Sequence, residues 1–137
     1  MYMDKIAVGP RAKGCIDIDA PVSENLERVA KALERKVSDL TVVLLDRERH
    51  YGIMDEIRRA GARIQLITDG DVNPIVNAGI EGTGVHMYIG KGGAPEGVLA
   101  AAAIKCLGGD MQARLCPEDD EQSNAAWKWA SAIASRF

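Results

Sequence analysis

The stretch "LTVVLLDRERHYGIMDEIRRAGARIQLITDGD", residues 40–71, decides the fold. It opens on a continuous apolar, β-branched run, Leu40 to Asp46, too short for a buried helix and bounded by polar residues. Such a run reads as a central strand covered on both faces. A helix carrying Tyr51, Met54, Ile57 and Arg58 follows, with Gly61 just past its end as a left-handed cap. Ala62 to Thr68 is the next strand. Strand, helix and strand within about thirty residues make one βαβ unit, so the sheet is at least partly parallel.

Outward from this unit the same alternation continues. On the amino-terminal side, Met3 to Val8 reads as a short strand stopped by Gly9 and Pro10. From Pro21, Val22, Leu26, Val29, Ala30 and Leu33 recur at helical spacing among charged residues, an apolar stripe that covers a sheet. On the other side come a short helix around Val72 to Ala78 and a strand from Val85 to Ile89. A helix from Pro95 to the residue before Gly108 follows, and its nearly uncharged, Ala-rich body predicts a buried helix. Met111 to Cys116 is a further strand, and residues 124–137 form a terminal helix using Trp127, Ile133 and Phe137. The expected fold is α/β, a three-layer sandwich with a mixed, partly parallel sheet and helices on both faces. Residues 1–122 make one domain, and 123–137 a terminal helix or tail.

The 137 residues are 47% apolar but only 4% aromatic, so the core must be built from Val, Ile, Leu and Ala, as suits strands under helices. Net charge is −3 with both signs interleaved, which gives no electrostatic footprint for nucleic acid or an anionic membrane. No apolar run approaches bilayer length, and the start lacks the apolar stretch of a signal peptide, so a soluble, cytoplasmic chain is expected. Cys15, Cys106 and Cys116 are an odd number, far apart and without a zinc-ligand pattern; they read as free thiols and small buried hydrophobes. His86 reads as a packing residue in a strand, whereas His50, at a loop–helix junction, is placed to touch an anion.

Charge gathers where the parallel strands end. "DRERH" (Asp46 to His50), "TDGD" (Thr68 to Asp71) and "GKGGAPEG" (Gly90 to Gly97) should share one edge, the edge at which open α/β sheets bind ligands. Each has a structural reading. Asp46 and Asp71 can cap helices, Gly70 can take a positive φ in a turn, and Glu96 suits a helix N-terminus without any ligand. Together they have a chemical one. Arg47 and Arg49 can fork onto phosphate oxygens, Asp69 and Asp71 can accept from sugar hydroxyls, and glycines ahead of a helix with a carboxylate can meet an anion or a divalent cation. Neither a Walker A motif nor a dinucleotide fingerprint is present.

These segments, with "MYMDKIAVGPRAKGCIDIDAPVSENL" and above all "GGAPEGVLAAAAIKCLGGDMQARL", resemble the class II fructose-1,6-bisphosphatases, some of which also act on sedoheptulose 1,7-bisphosphate. The resemblance runs from Tyr2 to Glu121. It implies metal-dependent hydrolysis of the 1-phosphate of a sugar bisphosphate, with Mg or Mn as cofactor. It implies substrate contacts at Tyr2, Arg47, Glu48, Arg49, Asp69, Gly70, Asp71 and Gly93, and a metal ligand at Glu96. Glu48 and Lys91 depart from the family, which has proline and an apolar residue there. Family enzymes are more than twice this long, and the remaining metal ligands have no counterpart here. The resemblance therefore implies a substrate-binding part that does not turn over alone and works with a partner chain or as a homo-oligomer. The alternative is a non-catalytic sugar-phosphate-binding or oligomerisation module.

Overall fold

The computed structural model describes residues 1–117; the expected terminal helix lies outside them. In chain order the elements are β1 (Tyr2–Val8), α1 (Val22–Ala32), β2 (Thr41–Leu45), α2 (Tyr51–Ala60), β3 (Arg63–Ile67), α3 (Val72–Ala78), β4 (Met87–Gly93), α4 (Ala94–Leu107) and β5 (Asp110–Cys116). The five strands form one mixed sheet in the order β3-β2-β4-β1-β5. β2 is parallel to both β3 and β4, whereas β1 is antiparallel to β4 and β5.

Alternation along the strands separates two apolar clusters. Val42, Leu44, Ile6, Val8 and Met87 enter one with Leu26 and Val29 of α1 and Met54 and Ile57 of α2. Their neighbours Val43, Ala7 and Tyr88 enter the other with Ile75 of α3 and Ala100 and Ile104 of α4. Successive strand residues point to opposite faces, so α1 and α2 cover one face and α3 and α4 the other. Each fully buried aliphatic side chain contributes roughly 1.5–3 kcal/mol. Gly61 and Gly108 end α2 and α4 in the left-handed conformation that their position requires.

Four expectations change. "GKGG" is not a loop: the strand expected at 85–89 begins at Met87 and runs on through Gly93, because seven registered pairs with β1, from Tyr2↔Gly93 to Val8↔Met87, hold these glycines in the sheet. His86 consequently lies just before the strand. α4 is buried along Ala94, Gly97, Ala100 and Ile104 only; Leu99 is 62% exposed, since a helix against one sheet face buries a single stripe whatever its composition. Neither Asp46 nor Asp71 caps a helix through its side chain. The cysteines are free, but none is buried, and Cys116 donates to the Asp4 carboxylate at 3.3 Å. Burial and that carboxylate push the Cys116 thiol's pKa up, which suits packing rather than nucleophilic chemistry.

Candidate functional site

The carboxyl ends of β2, β3 and β4 meet at a cavity of about 200 Å³. Tyr2, Arg47, Arg49, Asp69, Gly70, Asp71, Gly93 and Glu96 all line it, with Leu45 and Gly92 as floor. Glu48 does not; it starts the short 3-10 turn Glu48–His50 and is exposed. The juxtaposition follows from topology. β1 is antiparallel to β4, so its first residue Tyr2 lies opposite Gly93, and the parallel strands bring the other segments to the same edge.

The arginines are held by backbone carbonyls. Arg47 donates to the Asp46 and Thr68 carbonyls at 2.9 and 2.8 Å, bridging the ends of β2 and β3. Arg49 donates through Nε and Nη2 to the Lys91 carbonyl at 3.2 and 2.7 Å, and its guanidinium lies 5.0 Å from the Tyr2 ring centroid. A guanidinium has five N–H donors, and the described residues take two from each arginine, leaving three for a ligand.

The acidic turn divides into two environments. Asp69 is exposed and accepts from the Gly70 N–H at 2.9 Å, with Gly70 at φ +72° as the turn requires. Asp71 is only 4% exposed; its Oδ2 is paired with the buried Lys5 ammonium and accepts from the Tyr88 hydroxyl at 3.2 Å. Oδ1 is the Asp71 oxygen left for a ligand. Burial, then the Asp71 carboxylate, drives the Tyr88 phenol's pKa well above its ordinary range. Glu96 is exposed in the first turn of α4, and its carboxylate folds back over Gly93, where any Cβ would collide with it.

His50, fully buried, joins these parts. Its Nδ1 bonds the Leu45 carbonyl at 2.7 Å, and its Nε2 accepts from the Lys91 N–H at 2.8 Å. His86 accepts from the Thr41 N–H through Nδ1 at 2.9 Å. Both imidazoles are less basic than usual: His50 chiefly through burial, with Arg49 and Arg47 adding to the effect, and His86 through burial, then Arg35 and Arg63. The unfolded chain therefore binds these protons first, and stability should fall as pH drops below about 6.5. Urea unfolding at pH 7.5 and 5.5 should show a lower midpoint at 5.5 and a smaller difference in a His50→Gln/His86→Gln variant. Equal differences in both proteins would refute this.

A larger cavity, about 610 Å³, lies at the opposite end of the sheet, near the C-termini of α1, α3 and α4. Arg11, Arg35 and Arg63 line it beside Asp39 and Glu81. Three helix C-termini bring partial negative charge there, which these arginines offset, so its size does not mark it as the anion site.

Sequence reasoning missed Lys5, Tyr88 and the bonding of His50. Lys5 carried one signal, its position in an apolar strand on the same face as Met3 and Ala7.

The fold and this edge define an α/β domain with a polar, partly cationic cleft at the ends of parallel strands. A family model, bacterial fructose-1,6-bisphosphatase, glpX-encoded, matches residues 1–136, and the chain belongs to that family. A D-fructose 1,6-bisphosphatase class 2/sedoheptulose 1,7-bisphosphatase of Synechococcus sp. (strain JA-2-3B'a(2-13)) is 52% identical over 115 residues, 84% of this chain and 33% of the relative. A protein of the same name from Gloeobacter violaceus (strain ATCC 29082 / PCC 7421) is 47% identical over 120 residues, 88% of this chain and 35% of the relative. The chain thus spans about a third of the length of these relatives.

Proposed function

We propose that this chain is the substrate-binding part of a divalent-metal-dependent sugar bisphosphatase acting on fructose 1,6-bisphosphate or sedoheptulose 1,7-bisphosphate. The observation that carries the reading is one cavity gathering two arginines with spare donors, the Asp69–Asp71 turn, Gly93 and Glu96 at the ends of three strands. The relatives' names supply the substrate class.

In this reading Arg47, Arg49 and the Tyr2 hydroxyl take the phosphate that is not cleaved, through charge-assisted hydrogen bonds whose fork geometry matches its oxygens. Asp69 and Asp71 Oδ1 accept from sugar hydroxyls. Lys5 and Tyr88 hold the Asp71 carboxylate in place, so it loses little freedom when substrate arrives. Gly93 keeps the backbone bare beside the Glu96 carboxylate.

Glu96 would be one ligand of a divalent cation, Mg or Mn, which supplies charge neutralisation and an activated water for phosphate hydrolysis. Among the described residues no group of three or more His, Cys, Asp or Glu is arranged to hold a metal. One exposed carboxylate does not hold Mg²⁺ against bulk water, so the described residues alone do not fit the cation and no chemical step is assigned to them. This mismatch favours substrate binding over turnover as what the described residues supply.

Calorimetric titration with fructose 1,6-bisphosphate, with and without Mn²⁺, beside a phosphate-release assay, tests the reading. Binding without phosphate release is expected. Arg49→Ala and Asp69→Asn should each weaken binding about tenfold or more, the size of one hydrogen bond to a charged group. Unchanged affinity in both variants would reject the assignment.

A further inference from the structure

We infer that His50 is a positioning residue of this site: its ring replaces the missing backbone pairing between β2 and β4 and sets the distance between the arginine turn and the glycine strand. The inference rests on the reading of the cavity as a sugar-bisphosphate site.

β2 and β4 are registered at only two positions, Val42↔Met87 and Val43↔Tyr88. Beyond Tyr88 the ladder between them stops, and among the described residues the segment of β4 that leads to Glu96 is paired on its β1 side alone. The ring of His50 fills the gap. A Cβ on Gly90 would lie 3.0 Å from its Cε1 and 3.1 Å from its Nε2, and the Gly90 φ of +153° is one that side chains rarely adopt.

The Lys91 peptide is thereby held at both ends by consecutive residues. Its N–H donates to His50 Nε2, and its carbonyl accepts twice from Arg49. Because Nε2 accepts, the ring proton is on Nδ1, where it is donated to the Leu45 carbonyl at the end of β2. His50 thus reproduces with a side chain what a strand pair does with its backbone: it accepts from one strand and donates to the other. Arg49 cannot shift in the cavity without moving Lys91, and Lys91 is two residues from Gly93. Two groups meant to hold opposite ends of one ligand are therefore fixed relative to each other before it binds, which is where affinity is gained by ordering in advance.

The imidazole meets both bonding demands at once, and glutamine, with a carbonyl that accepts and an NH2 that donates, is the conservative replacement. His50→Leu fills similar space but leaves the Lys91 N–H and the Leu45 carbonyl unpaired. The test is a set of fructose 1,6-bisphosphate titrations on the full 137-residue chain, together with Lys91 amide hydrogen exchange, for wild type, His50→Gln and His50→Leu. Expected are loss of Lys91 protection and about tenfold weaker binding in His50→Leu, with both restored in His50→Gln. A mutation-free check is the ¹⁵N spectrum of the wild-type ring, in which the unprotonated nitrogen should be Nε2, the opposite of the tautomer that free histidine favours. Wild-type binding that His50→Leu leaves unchanged, or a protonated Nε2 in a neutral ring, would overturn the inference alone. A wild-type chain that binds no bisphosphate would sink the reading of the cavity and this role with it.

Discussion

Replacing Lys5 with methionine is expected to destabilise the chain by about 3–5 kcal/mol, the usual cost of removing one member of a buried ion pair. Lys5 is 1% exposed and Asp71 4%, and the two are paired beneath the cavity. Methionine matches the length of the lysine stem and its packing under Gly97, so the loss falls on the charge. The Asp71 carboxylate would be left in a nearly dry site with the Tyr88 hydroxyl as its one remaining side-chain donor among the described residues. Adding Asp71→Asn should recover most of the stability, because the neutral amide still accepts from Tyr88 and no uncompensated charge remains. Urea unfolding of the wild type, both single variants and the double variant gives the coupling. If Lys5→Met loses less than about 1 kcal/mol, the pair is not a buried one. The double variant carries a second prediction: a stable fold with weakened bisphosphate binding, since Asp71 Oδ1 loses its charge.

How far the sequence reveals this design depends on the range of the interactions involved. The βαβ unit is legible because Val42 to Leu45 and the α2 stripe obey local periods, and the polar strand ends follow from parallel pairing alone. Gly90–Gly93 are not legible as strand: glycine has no strand propensity, and what fixes them is pairing with β1, some ninety residues earlier in the chain. The environment of Lys5 is hidden for the same reason, its partner being 66 residues away. Composition misleads for α4, where an uncharged body suggests burial all round but a single sheet face is available. At the cavity, residue types announce the chemistry, while the division of labour between exposed Asp69 and buried Asp71 depends on Tyr88 and Lys5 lying on one face of the sheet. His50 gives no local sign of its role, because both its partners are backbone groups.

Gly92→Ala should be the most damaging single-methyl change at the site, costing about 2 kcal/mol and weakening bisphosphate binding more than tenfold. Two general effects oppose each other here. Alanine restricts the unfolded chain and so gains about 0.4–1 kcal/mol wherever its conformation is tolerated, but at this position the added Cβ would collide with Asp71 Oδ2 and lie 3.2 Å from Lys5 Nζ. Neither side of the clash yields cheaply. β4 is fixed to β1 by seven registered pairs, so residue 92 cannot back away, and Asp71 cannot swing aside without leaving Lys5 and Tyr88. Overpacking of roughly 1–3 kcal/mol plus a partly broken ion pair outweighs the entropic gain. The displaced carboxylate takes the Asp69–Gly70–Asp71 turn with it, which is why binding suffers along with stability. Gly52→Ala is the control with the opposite sign: the position lies in the first turn of α2, is exposed, and has nothing within 4 Å of the new methyl. There the helix gains roughly 0.5–1 kcal/mol. Thermal unfolding of both variants decides the matter: a Gly92→Ala protein as stable as Gly52→Ala would mean that the Lys5–Asp71 pair is not packed against β4, and the account of how the acidic turn is held would fall.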